Sequence, residues 1–282
     1  MAAQKALVAY FSGTGGTTRA AKAVAQAFEL RGVSVDIQEI KTGKAFPNGS
    51  EDYLVLLFAV HAANAPEPVY RWLENLSPVS GTKAAVLAVS GGGEVFPNTA
   101  CRLSSIKRLE KKGYEVVYEH MIVMPSNMSI ATPDGLAARL LEVLPQKAAS
   151  MADDILSGIR RRVKPSLLNR FMSVVCEMEK KGCHIFGKWL IADETCTGCG
   201  WCAKGCPGAN IRMEGERPVF GNQCVMCFRC VYGCPSHSLR PKRFKFALNK
   251  RGFDIRRYEN SGIQPEKKTG VVWKGVNRYL EQ

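Results

Sequence analysis

Eight cysteines in two runs of identical spacing constrain this 282-residue chain more than any other feature. The first run reads Cys196-x2-Cys199-x2-Cys202-x3-Cys206-Pro207, and the second reads Cys224-x2-Cys227-x2-Cys230-x3-Cys234-Pro235. Thiols this close together cannot all pair as disulfides without severe loop strain. They wrap a compact iron–sulfur core well. A zinc ribbon needs a single set of four ligands, in two pairs across a longer gap. A disulfide scaffold belongs to short secreted chains. The spacing therefore points to iron–sulfur chemistry.

The stretch from about residue 190 to 240 resembles bacterial-type 2(4Fe–4S) ferredoxin domains. In that pattern the first three cysteines of a run hold one cluster and the fourth reaches across to the other. The resemblance implies that Cys196, Cys199, Cys202 and Cys234 hold cluster I, and that Cys224, Cys227, Cys230 and Cys206 hold cluster II. The crossing would tie both runs into one pseudo-symmetric unit that passes single electrons.

The length allows two domains, and the composition is that of an ordinary soluble protein. The apolar run Ala6–Phe11 is too short for a signal peptide, and Tyr53–Ala63 is strand-sized rather than membrane-spanning. Eleven cysteines without an export signal argue for a reducing cytoplasm. Cys101, Cys176 and Cys183, outside the runs, read as structural thiols. The net charge of +14 is uneven: residues 1–150 carry 15 Lys/Arg against 13 Asp/Glu, and residues 151–282 carry 24 against 12. Such a basic half suits an acidic redox-protein partner. Nucleic acid ranks below it, through Phe244, Phe246, Phe253 and Tyr258 interleaved with Lys and Arg. The other reading of that segment is a tail whose aromatics pack on the cysteine-rich unit.

At the other end of the chain, the apolar run Lys5–Phe11 meets Ser12-Gly13-Thr14-Gly15-Gly16-Thr17-Thr18 and then the helix-like Arg19–Leu30. A loop of amides and hydroxyls at a helix N-terminus favours a phosphate. The loop has no lysine, which excludes a Walker-type NTPase, and Thr18 stands where a dinucleotide fingerprint needs glycine. The loop resembles that of flavodoxins, whose FMN-phosphate motif reads Ser/Thr-x-Thr-Gly-x-Thr; Ser12, Thr14, Gly15 and Thr17 match it, and Gly16 departs from it. Apolar runs at Val33–Ile40, Tyr53–Val60, Lys83–Ser90 and Tyr114–Met124 alternate with helical stretches at Pro66–Leu76 and Thr99–Lys112. These imply an α/β fold, a flavodoxin-like doubly wound five-stranded parallel sheet of order 2-1-3-4-5, beside a small α+β ferredoxin domain. The resemblance places two further flavin loops after strands 3 and 4, at His61, Ala62, Ala63 and Asn64 and at Ser90, Gly91, Gly92, Gly93 and Glu94. His61 is either a flavin neighbour or a plain loop histidine. The small residues of these loops would leave a flavin face open to a substrate or a cluster.

Asp134–Leu144 reads as a helix interrupted by Pro145, followed by helices at Met151–Val163 and Ser166–Lys181. The last carries a stripe of Leu167, Leu168, Phe171, Val174, Val175 and Met178, expected to dock the cysteine-rich unit. Trp189–Asp193, Ile211–Met213 and Pro218–Phe220 read as short strands, the last two around a Glu214-Gly215-Glu216 turn. The resulting divisions are a flavodoxin-like domain (1–149), a helical connector (150–188), a ferredoxin-like domain (189–240) and a basic extension (241–282). The chain resembles a flavodoxin–ferredoxin fusion, known from anaerobic prokaryotes. The resemblance implies FMN and two 4Fe–4S clusters, and an electron carrier serving acidic protein partners. The alternative is a reductase with its own small substrate, although no acid–base pair stands out beyond His61 and Glu94. Flavin and clusters would meet within one chain or across a homodimer.

Overall fold

The computed structural model describes residues 4–42, 49–177, 179–259, 262–264 and 273–282, with the side chains of 177–181 left out. Strands β1 (Lys5–Phe11), β2 (Ser34–Glu39), β3 (Tyr53–Ala59), β4 (Lys83–Ser90) and β5 (Glu115–Val123) form one parallel sheet of order β2-β1-β3-β4-β5. The central strand β3 reads YLVLLFA and is buried on both faces, as a strand covered by helices on each side must be. Alternate residues feed two cores. Val8, Val55, Leu57, Ala85 and Leu87 pack under α1 (Gly16–Glu29) and α4 (Asp134–Leu156). Leu7, Leu54, Leu56, Phe58, Val86 and Ala88 pack under α2 (Glu67–Glu74) and α3 (Leu103–Lys111). The helix expected over Thr99–Lys112 is a 3₁₀ turn at Asn98–Ala100 followed by α3.

Four expectations for residues 134–188 need correction. Helix α4 does not stop at Pro145 but runs unbroken from Asp134 to Leu156. Pro145 lies on the exposed face, where water can take the carbonyl its missing N–H abandons. The buried side chains Leu144, Ala148, Met151, Ala152 and Ile155 offset a cost of about 3 kcal/mol. The expected helix over Met151–Val163 ends with α4 itself. Beyond it Arg161 bridges Tyr118 in parallel, so this segment shields the β5 edge of the sheet. The helix expected over Ser166–Lys181 is two, α5 (Leu167–Glu177) and α6 (Glu179–Lys188), and Met178 lies outside the described residues. Among the described residues, nothing covers the stripe of Leu167, Leu168, Phe171, Val174 and Val175. It faces outward, and the opposite face of α5 buries Ser173 and Cys176.

The cysteine-rich unit follows. Strand β6 (Leu190–Ala192) pairs antiparallel with β9 (Leu239–Pro241), and β7 (Ile211–Glu214) pairs with β8 (Arg217–Phe220) around the expected tight turn. Short helices α7 (Trp201–Gly205) and α8 (Arg229–Tyr232) start inside the two cysteine runs. The extension wraps back over the α/β domain. Phe253, Ile255 and Tyr258, with Val276 and Tyr279 of α9 (Lys274–Glu281), join the α1/α4 core. Two of the four aromatics read as a stacking surface are thus core residues. Phe244 and Phe246 remain exposed, edge to face. Among the described residues, no helix is long and apolar enough to cross a membrane.

Candidate functional site

The two cysteine runs fold to the same local pattern. Left-handed φ values recur at equivalent positions: Gly198 and Met226 (68° and 53°), Gly200 and Phe228 (71° and 59°), Ala209 and His237 (51° and 52°). These turns swing the thiols of each run around a hollow. One hollow, about 300 Å³ of atom-free space counting its open mouth, is lined by Cys196, Cys199, Cys202 and Cys234. The other, about 370 Å³, is lined by Cys224, Cys227, Cys230 and Cys206. Each therefore gathers three thiols of one run and the fourth of the other. Among the described residues, no three Cys, His, Asp or Glu side chains converge on a single-ion point. The donor set instead suits a polynuclear cluster in each hollow.

Polar groups already point at some of the sulfurs. The Asn210 amide donates to Cys206 Sγ at 3.3 Å, and the Met226 amide to Cys224 Sγ at 3.3 Å. Ser238 Oγ lies 3.4 Å from Cys234 Sγ. Burial opposes the Cys234 thiolate, but the Ser238 and Ser236 hydroxyls outweigh it and bring the pKa below the ordinary thiol value. Burial pushes Cys224 up to about 12 and Cys227 up to about 11, and it holds Cys230 well above the ordinary value. Loading iron there must displace protons.

The hollows face different surroundings. Cys199, the second cysteine of run one, is exposed; its equivalent Cys227 is buried. Cys227 is covered by the loop after β1. A Cβ built on Gly13 would stand 2.5 Å from the Cys227 carbonyl oxygen, so only glycine permits this approach.

That loop is also a built anion cradle. Ser12 Oγ accepts from the amides of Gly15 and Thr18 at 3.2 and 3.3 Å. Among the described residues, the amides of Gly13, Thr14, Gly16 and Thr17 have no protein acceptor. Gly16 and Thr17 open α1, where the dipole adds to the attraction for an anion. Thr14 Oγ1 accepts from Asn127 Nδ2 at 2.9 Å. The residues present fit a phosphate monoester.

The other two loops meet the chain itself. His61 Nδ1 donates to the Val225 carbonyl at 2.9 Å, and burial pushes its pKa down to about 4. Ala62 and Ala63 both adopt left-handed φ (48° and 50°) in a tight turn closed by His61 and Asn64. Asn64 is fully buried, and Ser173 takes both ends of its amide at 2.7 Å, so this side chain is not available to a flavin. Ser90 Oγ accepts from the Gly92 amide and from Asn98. Gly91 abuts Ser126, and Gly93 abuts the backbone of Gly275 in α9. These glycines serve close packing, and the open flavin face expected there narrows to Gly92, beside which there is free space. Glu94 pairs with the fully buried Arg102, which also holds Glu119. His61 and Glu94 therefore do not form an acid–base pair. Reading the sequence missed Asn127, which lies in an unremarkable loop, and Arg229, whose only signal was its place between Cys227 and Cys230.

Residues 188–235 match the family model of the 4Fe-4S dicluster domain. Among solved structures, a flavodoxin from the domain Archaea aligns at 16% identity over 54% of this chain and 99% of its own, with a TM-score of 0.39. Oxidised flavodoxin 2 from Bacillus cereus aligns at 20% over 54% of this chain and 99% of its own, with a TM-score of 0.40. The Streptococcus pneumonia TIGR4 flavodoxin aligns at 18% over 53% and 99%, with a TM-score of 0.40. Comparison with curated proteins returns no match. By its sheet order and its matched domain, the chain joins a flavodoxin-like fold to a 4Fe–4S dicluster domain.

Proposed function

We propose that the chain is an electron-transfer protein carrying two 4Fe–4S clusters and one FMN, and that it serves protein redox partners. The clusters supply one-electron steps and the flavin supplies one- and two-electron chemistry. Cys196, Cys199, Cys202 and Cys234 hold cluster I at the surface, where exposed Cys199 brings a partner close. Cys224, Cys227, Cys230 and Cys206 hold cluster II inside the same chain. The cradle of residues 12–17 holds the phosphate of FMN, and Asn127 orients Thr14.

The observation that carries this reading is the seating of the second run. Its Cys227 carbonyl packs on Gly13 and its Val225 carbonyl accepts from His61, so one segment touches two of the expected flavin loops. The closed packing of Asn64, Gly91, Gly93 and Glu94 favours a carrier over a reductase with its own substrate. The excess charge of +14 favours acidic partners, so raised salt should slow exchange with them.

The test is anaerobic reconstitution with iron, sulfide and FMN, read by absorption and metal and flavin counts. Two clusters and one FMN per chain are expected. A colourless or zinc-loaded product would overturn the reading. Thr14→Ala should weaken FMN binding roughly tenfold, the loss of one phosphate hydrogen bond, with iron content unchanged.

A further inference from the structure

One side chain joins the second cysteine run to the anion cradle. Arg229 stands between Cys227 and Cys230 and is 15% exposed. Its Nε donates to the Gly13 carbonyl at 2.9 Å and its Nη2 to the Ser12 carbonyl at 2.6 Å. Its Nη1 donates to the Gly205 carbonyl at 3.0 Å, beside the cluster II ligand Cys206. Glu39 pairs with the same guanidinium.

The planarity of the peptide bond gives these contacts a consequence. In a trans peptide the C=O and the following N–H point in opposite directions. Holding the Ser12 and Gly13 carbonyls toward the second run therefore turns the Gly13 and Thr14 amides away from it. These are two of the four amides in the cradle without a protein acceptor. Arg229 thus aims half of the cradle's backbone donors. Its own position depends in turn on a strained segment, because Met226 and Phe228, which flank Cys227, both hold left-handed φ. Such conformations persist only where the surroundings fix them. Ligation of a cluster through Cys224, Cys227 and Cys230 would supply that fixation.

We propose that Arg229 is a positioning residue that couples assembly of cluster II to binding of a phosphate monoester at residues 12–17, so that the flavin binds tightly only when cluster II is in place. The inference rests on the reading of this loop as the FMN site. Run one carries no such arginine, since its equivalent of Arg229 is Trp201, whose ring lies over Gly205 and Gly233. Coupling is reciprocal, so the flavin must protect cluster II by the same factor by which cluster II tightens the flavin.

FMN affinity is measured anaerobically by flavin fluorescence on cluster-loaded protein, with riboflavin, which lacks the phosphate, as control. Cys230→Ala and Arg229→Gln should each weaken FMN roughly tenfold or more, Arg229→Lys less, and Cys199→Ala not at all. Riboflavin affinity should not change across the set. Saturating FMN should slow iron loss from cluster II to a chelator but not from cluster I, and this protection should vanish in Arg229→Gln. Unchanged FMN affinity in Arg229→Gln or in Cys230→Ala overturns the coupling and leaves the flavin reading intact. Absence of FMN binding to loaded wild-type protein overturns the flavin reading itself, and the coupling with it. Should Cys230→Ala fail to fold, Arg229→Gln, which keeps every cysteine, decides alone.

Discussion

The two cysteine runs share one spacing and one backbone trace, yet between their cysteines they agree only at Gly205 and Gly233. Run one has Gly198, Gly200 and Trp201 where run two has Met226, Phe228 and Arg229. Glycine takes a left-handed φ at no steric cost, whereas a side chain there costs about 1–2 kcal/mol. Run two accepts that cost because its side chains have partners. Phe228 is 3% exposed and packs edge-on to Phe186 and Tyr232, and Arg229 reaches the anion cradle. Run one meets the α/β domain where Thr42 donates to the Pro207 carbonyl, and its Cys199 is exposed. A duplicated cage is thus made asymmetric by what surrounds it, and the proposed function makes one half a port and the other an internal relay.

The largest effect expected from this asymmetry comes from the ligands. Cys199→Ala should remove cluster I, halve the iron content, leave FMN bound and slow electron exchange with an external protein acceptor more than tenfold, about the effect of losing over 1.4 kcal/mol of activation stabilisation. Iron analysis and stopped-flow reoxidation would show this. Retained fast exchange would mean that the exposed half is not the port. In the wild-type protein, iron release to a chelator should be biphasic, with cluster I leaving in the fast phase because its ligand is open to solvent. Loss of both clusters in one phase would break the comparison.

A smaller effect separates the backbones. Phe228→Gly relieves the left-handed strain but forfeits burial of an aromatic ring worth about 1.5–3 kcal/mol, leaving a net loss of roughly 1 kcal/mol. Gly200→Ala, at the equivalent position, gains nothing in packing and should cost about 1 kcal/mol through strain alone. Denaturant unfolding of cluster-loaded protein would measure both. A neutral Phe228→Gly would show that its packing does not offset the strain.

Some of this was legible before any coordinates. The resemblance to two-cluster ferredoxins implied the crossed sets of cysteines, and the two hollows gather the same sets. The continuous apolar run of β3 marked a central strand, and the strand bounds at Lys83–Ser90 are those observed. Pro145 misled because local propensity argued for a break, whereas the buried face of α4 overrode it. The α5 stripe misled because periodicity shows that a face is apolar, not whether anything covers it. Arg229 and residues 253–258 could not be placed because their partners are distant in sequence: Arg229 meets Ser12, and Glu259 pairs with Arg19.

The smallest effect concerns the hydrogen bonds to sulfur, and it sharpens the comparison one cluster at a time. Ser238 Oγ lies 3.4 Å from Cys234 Sγ, with Ser236 beside it, so cluster I has hydroxyl donors at its crossing ligand. Cluster II has a backbone amide at the equivalent Cys206, which no side-chain substitution removes. A donor to sulfur stabilises the more negative, reduced cluster and so raises its potential. Removing a bond worth about 0.5 kcal/mol lowers a one-electron potential by roughly 20 mV. Ser238→Ala should therefore shift cluster I down by about that amount and leave cluster II where it is. Redox titration followed by electron paramagnetic resonance distinguishes the two. A shift of both clusters together would mean that the cages are electrostatically one unit, and that the asymmetry lies only in their outer surfaces.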